Sequence, residues 1–156
     1  MLAAAGLERL RFFLRRDGRL LDDPRFPRVA DAQTSVPPGL FATPLEPEEM
    51  LPCVGQAAIG LEIRENDERL EKICAKLNHF NTRQCVTAER TFLKAMGGGC
   101  QLAVAAYAEV LGHQIRMRAV SFLGDQPRRA EARRAVSEAA QLGEQLATEL
   151  GGKSNP

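Results

Sequence analysis

The sequence predicts an α+β fold, in which a small antiparallel sheet carries helices on one face. Two observations predict it. From residue 80 onward the spacing of apolar residues is helical, then alternating, and then helical again. Within the alternating part, Gly112 separates two stretches of apolar and polar residues, which is typical of a β-hairpin.

The overall composition is that of an ordinary globular protein. The 156 residues are 44% hydrophobic and 26% charged, and the net charge of +1 gives no basic surface for nucleic acid or anionic lipid. No apolar run approaches the length of a membrane span, and no secretory signal is recognisable. We therefore expect a cytoplasmic chain with no nucleic-acid partner and no membrane partner.

The cysteines are widely spaced, at Cys53, Cys74, Cys85 and Cys100. No C-x-x-C pair occurs, and the histidines do not have zinc-finger spacing, so we expect no structural metal site. Thiols stay reduced in the cytoplasm, which directs attention to the individual cysteines.

The first fifty residues are weakly patterned. Leu7, Leu10 and Leu14 have helical spacing, so residues 1–16 are expected to run into a short helix whose arginines form a solvated face. Residues 17–49 are rich in proline, which fixes φ and cannot donate to a strand ladder. We expect this stretch to be an extended surface connection.

The next segment predicts one strand and one helix. The strand is indicated by an alternating, half-buried pattern at Ile59, Leu61 and Ile63. Asn66 or Asp67 is placed to cap the helix that follows. The apolar stripe of that helix consists of Leu70, Ile73, Cys74 and Leu77. Cys74 is therefore expected in the core.

A second helix is predicted to begin near Asn81, where Gln84 three residues later completes a pair like a capping box. Its apolar face consists of Cys85, Ala88, Phe92 and Met96. We therefore expect Cys85 to pack in the core, and Glu89 and Lys94 to lie off this face.

This helix leads into three glycines, Gly97 to Gly99, which Cys100 follows. Glycines at the end of an element indicate positive φ or a close backbone approach. Two interpretations of Cys100 remain open from these residues alone. It is either a small buried side chain after a helix cap, or a thiol that a ligand can reach on a loop poor in side chains.

Beyond Cys100 the pattern predicts a hairpin and a closing helix. The inward positions of the two strands are Leu102, Val104, Ala106 and Ala108, then Ile115 and Met117. Residues 128–136 are ambiguous, because their alanines and arginines favour helix on propensity alone. From Ser137 the pattern is helical until Gly151 and Gly152 stop it.

Several motifs together resemble the hydroxymethylbilane synthase (porphobilinogen deaminase) family. The stretch from Met50 to Glu62 resembles a family segment that reads roughly LPAVGQGALGIE. Other matching runs are Ala3 to Leu10, Leu77 to His79, Thr82-Arg83, Thr87 to Arg90, Gly98 to Gln101, Ala105 to Glu109, and Leu142-Gly143 with Leu146-Ala147. The resemblance covers nearly the whole chain except about residues 12–44, where a divergent loop is expected.

The resemblance implies that Cys100 carries a dipyrromethane cofactor through a thioether bond. In that family the cofactor primes the condensation of four porphobilinogen molecules, each losing ammonia, into hydroxymethylbilane for tetrapyrrole and haem biosynthesis. The implied partners are porphobilinogen and the growing polypyrrole. Gln56 is implied to hydrogen-bond with carboxylates of cofactor or substrate. Gly98 and Gly99 are implied to leave room beside the cofactor.

The resemblance also implies a three-stranded sheet, with the third strand at about 128–136, and a division into three parts. Residues 1–50 would be a remnant of a second α/β domain plus the extended loop. Residues 51–78 would be a strand and a helix that return to a first α/β domain. Residues 79–156 would be the C-terminal α+β domain that anchors the cofactor.

Two departures from the family accompany this resemblance. The family's catalytic aspartate and most of its carboxylate-binding arginines belong to an N-terminal half with no counterpart in this sequence. We therefore expect no turnover by this chain alone: it either works with a separately encoded N-terminal half or is an incomplete product. Ala57 stands where the family has glycine, and it is expected to crowd the cleft or to require a β-compatible φ.

The competing hypothesis is a non-catalytic binding or interaction module on the same scaffold.

Overall fold

The structure is a computed structural model that describes residues 7, 11–25, 36, 38–99 and 101–151. The chain divides into two compact units, Met1–Glu46 and Pro47–Pro156. The division into parts at residues 50 and 78 stays a prediction. No helix among the described residues is both long and apolar enough to cross a lipid bilayer.

The first unit contains a short β-hairpin. Strands β1 (Phe12–Leu14) and β2 (Leu20–Asp22) pair antiparallel, and Arg19 forms an isolated bridge with Phe41. Gly18, at a φ of +83°, allows the chain to reverse between the two strands. The expected helix is therefore wrong at residues 12–14, and the expected extended connection is wrong at residues 20–22. Residues 1–6 and 8–10, on which the rest of that helix falls, lie outside the described residues.

The second unit opens with a segment in which the predicted strand is absent. Residues 58–64 have no regular secondary structure, and the side chains of Ile59 and Leu61 are 77% and 60% exposed. Alternating apolar residues form a strand only where a neighbouring strand takes up their backbone groups. No strand in the described part of the chain pairs with this segment, so the strand prediction is wrong here.

Helix α1 (Glu68–Leu77) forms where the sequence predicts it, with Asp67 as its N-cap. The Asp67 carboxylate accepts a hydrogen bond from the Leu70 amide at 3.1 Å. No residue of this helix is buried. Ile73 and Leu77 of the apolar stripe are exposed, and Cys74 is half-buried rather than in the core. The stripe is therefore real as a pattern but lacks a covering element among the described residues.

Helix α2 (Phe80–Ala95) supplies the central packing surface of the second unit. It is capped by His79, whose Nδ1 accepts from the Thr82 amide at 3.3 Å, so the predicted cap pair at Asn81 is wrong. Ala88 and Phe92 are fully buried, as predicted. Cys85 packs against the core, also as predicted, and this burial raises the pKa of its thiol.

Three strands form the antiparallel sheet in the order β3 (Val104–Leu111), β4 (Gln114–Ser121) and β5 (Arg128–Ala135). Leu111 pairs with Gln114, which leaves Gly112 and His113 as a two-residue turn. The third strand is confirmed where helix propensity argued against it. Pairing with β4 decides its conformation, because Ala130 and Ala132 then pack against the core.

A 3-10 turn (Val136–Glu138) leads into helix α3 (Ala139–Glu149). The core lies between this helix, α2 and one face of the sheet. Its members are Ala88, Phe92, Met96, Ala106, Ala108, Ile115, Met117, Ala119, Ala139, Leu142, Leu146, Ala147 and Leu150. The predicted α+β class, with helices on one face of a three-stranded sheet, is confirmed.

Helices α2 and α3 are in close backbone contact at Gly143. A Cβ at this position would overlap the Ala88 carbonyl oxygen and lie 2.8 Å from the Phe92 backbone nitrogen. Gly143 therefore sets the separation of the two helices.

The sheet face opposite the core carries charged side chains. Arg116 on β4 donates to Glu131 on β5 at 2.7 Å and lies 3.5 Å from Glu109 on β3. Arg118 pairs with Glu109 at 3.4 Å and also with Glu48, which precedes the sheet in sequence. These ion pairs form a charge ladder across all three strands and extend it to the segment at Glu48.

We predict that Gly143→Ala lowers the free energy of unfolding by about 2 kcal/mol. The added methyl group gains helix propensity, but it overlaps backbone atoms of α2 that cannot move without disturbing the core. Urea unfolding measures the change, with Gly60→Ala as the control because Gly60 has open space around it. Equal midpoints for the two variants would contradict the close contact.

We also predict that the charge ladder makes the second unit less stable in acid. Hydrogen bonds from Arg116 and Arg118 lower the pKa of Glu131 and Glu48, respectively. The two glutamates therefore add to the free energy of unfolding above the ordinary carboxyl pKa of 4.5, and this stabilisation is lost as pH falls through their lowered pKa values. Glu131→Gln should flatten this loss in urea unfolding measured below pH 4.5, whereas the exposed Glu62→Gln should leave it unchanged. Identical pH profiles for wild type and Glu131→Gln would refute the prediction.

Candidate functional site

The C-terminus of α2 passes directly into the glycine loop. The Gly98 amide donates to the Leu93 carbonyl at 2.8 Å, and the Gly97 amide donates to the Lys94 carbonyl at 3.1 Å. This pair of bonds is the Schellman motif, which requires a left-handed residue after the helix cap. Gly97 supplies that residue, at a φ of +117°.

Gly98 and Gly99 continue the loop in an open, exposed conformation. Both have positive φ, of +70° and +104°, which confirms that part of the prediction. Chain neighbours aside, no atom of the described residues lies within 4 Å of the position that a Cβ would take at Gly97, Gly98 or Gly99, so the described part of the chain makes no close backbone approach there. The loop therefore offers free space rather than a tight contact. Cys100 itself lies outside the described residues, and its role stays a prediction.

A second loop, residues 53–58, carries Gln56 and is called the Gln56 turn below. It consists of two overlapping reverse turns, in which the Gln56 amide donates to Cys53 and the Ala58 amide donates to Gly55. Gly55 and Ala57 occupy the third position of these turns, with φ of +68° and +67°. The expectation of a β-compatible φ at Ala57 is therefore wrong. This turn geometry requires positive φ there, as the family's glycine would allow.

The side chain of Gln56 is oriented by the turn that carries it. Its Oε1 accepts a hydrogen bond from the Cys53 backbone amide at 3.2 Å. Because that partner is a donor, the oxygen of the side-chain amide must face it and the NH₂ group points elsewhere. Gln56 is exposed, so this NH₂ group is placed to donate to an acceptor on a ligand.

Glu89 is buried between the Gln56 turn and the sheet, although its side chain is charged. It is 7% exposed, and the prediction that it lies off the packed face of α2 is wrong. Its Oε2 accepts from the Gly55 amide at 2.7 Å, and its Oε1 accepts from the Ala108 amide at 2.9 Å. Burial raises the pKa of this carboxyl group, while the two hydrogen bonds oppose the rise.

The importance of Glu89 was missed in reasoning from the sequence because its charge suggested a solvated position. The spacing of Glu89 from the apolar residues of α2 indicates burial instead. Glu89 lies four residues after Cys85 and three before Phe92, which places it within the apolar stripe. A carboxylate at such a position is rarely buried unless partners are present.

The structure attaches the turn that carries Gln56 to helix α2 and strand β3. Pro52, which precedes the Gln56 turn, accepts a hydrogen bond from the Ala106 amide of β3 at 3.2 Å, and Glu89 bridges Gly55 of the turn and Ala108 of β3. Gly98 and Gly99 follow the end of the same helix that carries Glu89. Among the described residues, no hydrogen bond joins Gln56 directly to either glycine.

Comparison with known families finds two matching segments. Residues 83–152 match the family model described as porphobilinogen deaminase, C-terminal domain. Residues 1–72 match the model described as porphobilinogen deaminase, dipyromethane cofactor binding domain. Gln56 falls within the second match, and Gly98, Gly99 and Cys100 fall within the first.

The described residues are compatible with a dipyrromethane group beside position 100. Such a group needs space for two pyrrole rings and hydrogen-bond donors for their carboxylates. The loop at Gly98 and Gly99 supplies open space, and Gln56 supplies an exposed NH₂ donor. The donor set therefore suits an anionic organic group.

We predict that Ala57→Gly raises the free energy of unfolding by about 0.5–1 kcal/mol. The substitution removes a side chain from a left-handed conformation that is unfavourable for alanine by about 1–2 kcal/mol, and part of this gain is offset by the greater freedom of glycine in the unfolded chain. Urea unfolding of the variant and of Ala58→Gly, at a neighbouring position without positive φ, measures the effect. A destabilised Ala57→Gly variant would show that the turn does not have this geometry.

Proposed function

This chain belongs to the porphobilinogen deaminase (hydroxymethylbilane synthase) family, and we propose that it carries the family's dipyrromethane primer on Cys100. Members of the family are transferases of tetrapyrrole and haem synthesis that use a dipyrromethane cofactor. The observation that carries the proposal is the glycine loop after α2, where the described residues beyond the chain neighbours leave the Cβ positions of Gly98 and Gly99 open.

The proposed attachment is a thioether bond to the Cys100 sulfur. When bound, the dipyrromethane supplies the pyrrole end to which porphobilinogen units are joined with release of ammonia. A thiol can form this bond when an electrophilic carbon can reach it. Gly98 and Gly99 leave that approach open.

We assign Gln56 to the carboxylates of the primer or of the growing polypyrrole. Its NH₂ group is exposed, and its oxygen is engaged by the Cys53 amide, so it acts as a donor. Amide donors suit carboxylate oxygens, which accept hydrogen bonds only. Gln56 in this role orients a ligand and transfers no proton.

The chain is proposed to need further family segments for turnover. Helix α1 has no buried residue, and the neighbouring Ile59 and Leu61 are largely exposed. An apolar surface of this kind is typical of an interface. We propose that further segments of the family, including the part that contains the catalytic aspartate, cover this surface, and that residues 1–156 without them are inactive. We also propose that the protein is located in the cytoplasm.

Intact-mass spectrometry of the chain, produced alone and together with an N-terminal half of the family, tests the primer. We expect a mass increase equal to two linked pyrrole units when the partner is present. Cys100→Ser should abolish the increase. Cys53→Ser should retain it, because Cys53, although exposed, is not in the glycine loop.

An unmodified mass in the presence of the partner would refute the primer. In that case the non-catalytic binding module on the same scaffold would be favoured. An increase that survives Cys100→Ser would place the attachment elsewhere.

A further inference from the structure

We propose that Glu89 is the positioning residue of this site, whose carboxylate fixes the Gln56 turn to the free edge of strand β3. Gly55, in the turn, and Ala108, in the strand, are 53 residues apart in sequence, and one side chain holds both. The functional part of this inference rests on the primer function proposed above. The positioning itself concerns only residues that the structure describes.

Strand β3 forms one edge of the sheet, so every second backbone amide points away from β4. Two of these amides have partners outside the sheet. Ala106 donates to the Pro52 carbonyl at 3.2 Å, and Ala108 donates to the Glu89 Oε1 at 2.9 Å. The Gln56 turn and its flanking residue therefore lie along this edge, although they form no strand.

The chemistry of the contact requires a carboxylate. Both partners of Glu89 are backbone N–H donors, so both of its oxygens must be acceptors. Glutamine would keep one acceptor and would turn an NH₂ group toward the other amide. Aspartate has the same carboxylate but is shorter by one methylene group, so its oxygens would lie farther from both amides.

Glu89 also lacks a cationic partner in the described part of the chain, where no ion pair includes it. The residue is only 7% exposed. A buried carboxylate without a cation is costly unless hydrogen bonds satisfy it. The Gly55 and Ala108 amides supply these hydrogen bonds, so the position of the Gln56 turn is coupled to the carboxylate of Glu89.

Through Glu89, the Gln56 turn and the glycine loop are both attached to helix α2. Helix α2 holds the Gln56 turn through Glu89, and the same helix ends in the glycine loop that leads to Cys100. Loss of the Glu89 carboxylate would leave the Gln56 turn and the glycine loop intact, but it would remove the hydrogen bonds that hold Gln56 in position relative to the glycine loop. Glu89 contacts no reacting atom in this scheme.

Residue-specific hydrogen exchange on the unmodified full chain tests the tie. We compare wild type with Glu89→Gln, which keeps one acceptor, and with Glu89→Met, which removes both but keeps a buried side chain of similar length. Exposed Glu144→Gln is the matched control. We expect the Gly55 and Ala108 amides to exchange at least tenfold faster in Glu89→Met, with the amides of Ile115 to Val120 unchanged.

The inference is overturned if Gly55 and Ala108 exchange within twofold of wild type in both variants. It is also overturned if the amides of β4 accelerate to the same extent, because Glu89 would then contribute only to general stability. The Glu144→Gln control should match wild type at every amide.

The functional part is tested by the mass increase described above. If wild type acquires the primer, we expect Glu89→Met to acquire it at least fivefold more slowly, and Glu144→Gln at the wild-type rate. Loading of Glu89→Met at the wild-type rate would overturn the positioning role even if exchange is faster. If wild type acquires no primer, the proposed function fails, and the exchange experiment alone decides whether Glu89 holds the turn.

Discussion

The close contact of α2 with α3 at Gly143 is the constraint on which the rest of the second unit depends. Because no side chain separates the helices there, the backbone of α2 is held directly against α3 and over the sheet. That position buries Phe92 and sets the depth of Glu89. It also fixes the point at which the chain leaves the helix for the glycine loop. The packing of α2 thus determines the position of the glycine loop.

The sequence was sufficient for the parts of the fold that depend on local pattern. The hairpin, the closing helix and the packed face of α2 follow from apolar spacing and glycine positions, and the structure has them. Strand β5 shows where pattern is insufficient. Its run of arginine and alanine favours helix, and only pairing with β4 makes it a strand. The resemblance to a family supplied that pairing, since residue spacing alone did not.

The errors share a physical cause, which is that burial depends on neighbours as well as on pattern. Ile59, Leu61 and the stripe of α1 carry the spacing of core residues, but no element in the described part of the chain covers them. Glu89 has the opposite character, because its charge suggests solvent while two backbone amides make its burial tolerable. Ala57 adds a third case, in which a turn sets the backbone conformation against the preference of the residue.

The two edges of the sheet are blocked in different ways, which restricts how another protein can bind. On β3 the outward amides of Ala106 and Ala108 are already occupied by Pro52 and Glu89. On β5 the outer strand is dense in arginine, and such charges discourage a further strand from pairing. Growth of the sheet by an added strand is therefore disfavoured on both sides. A partner is directed instead to side-chain surfaces, which include the exposed Ile59 and Leu61 and the exposed Ile73 and Leu77 of α1.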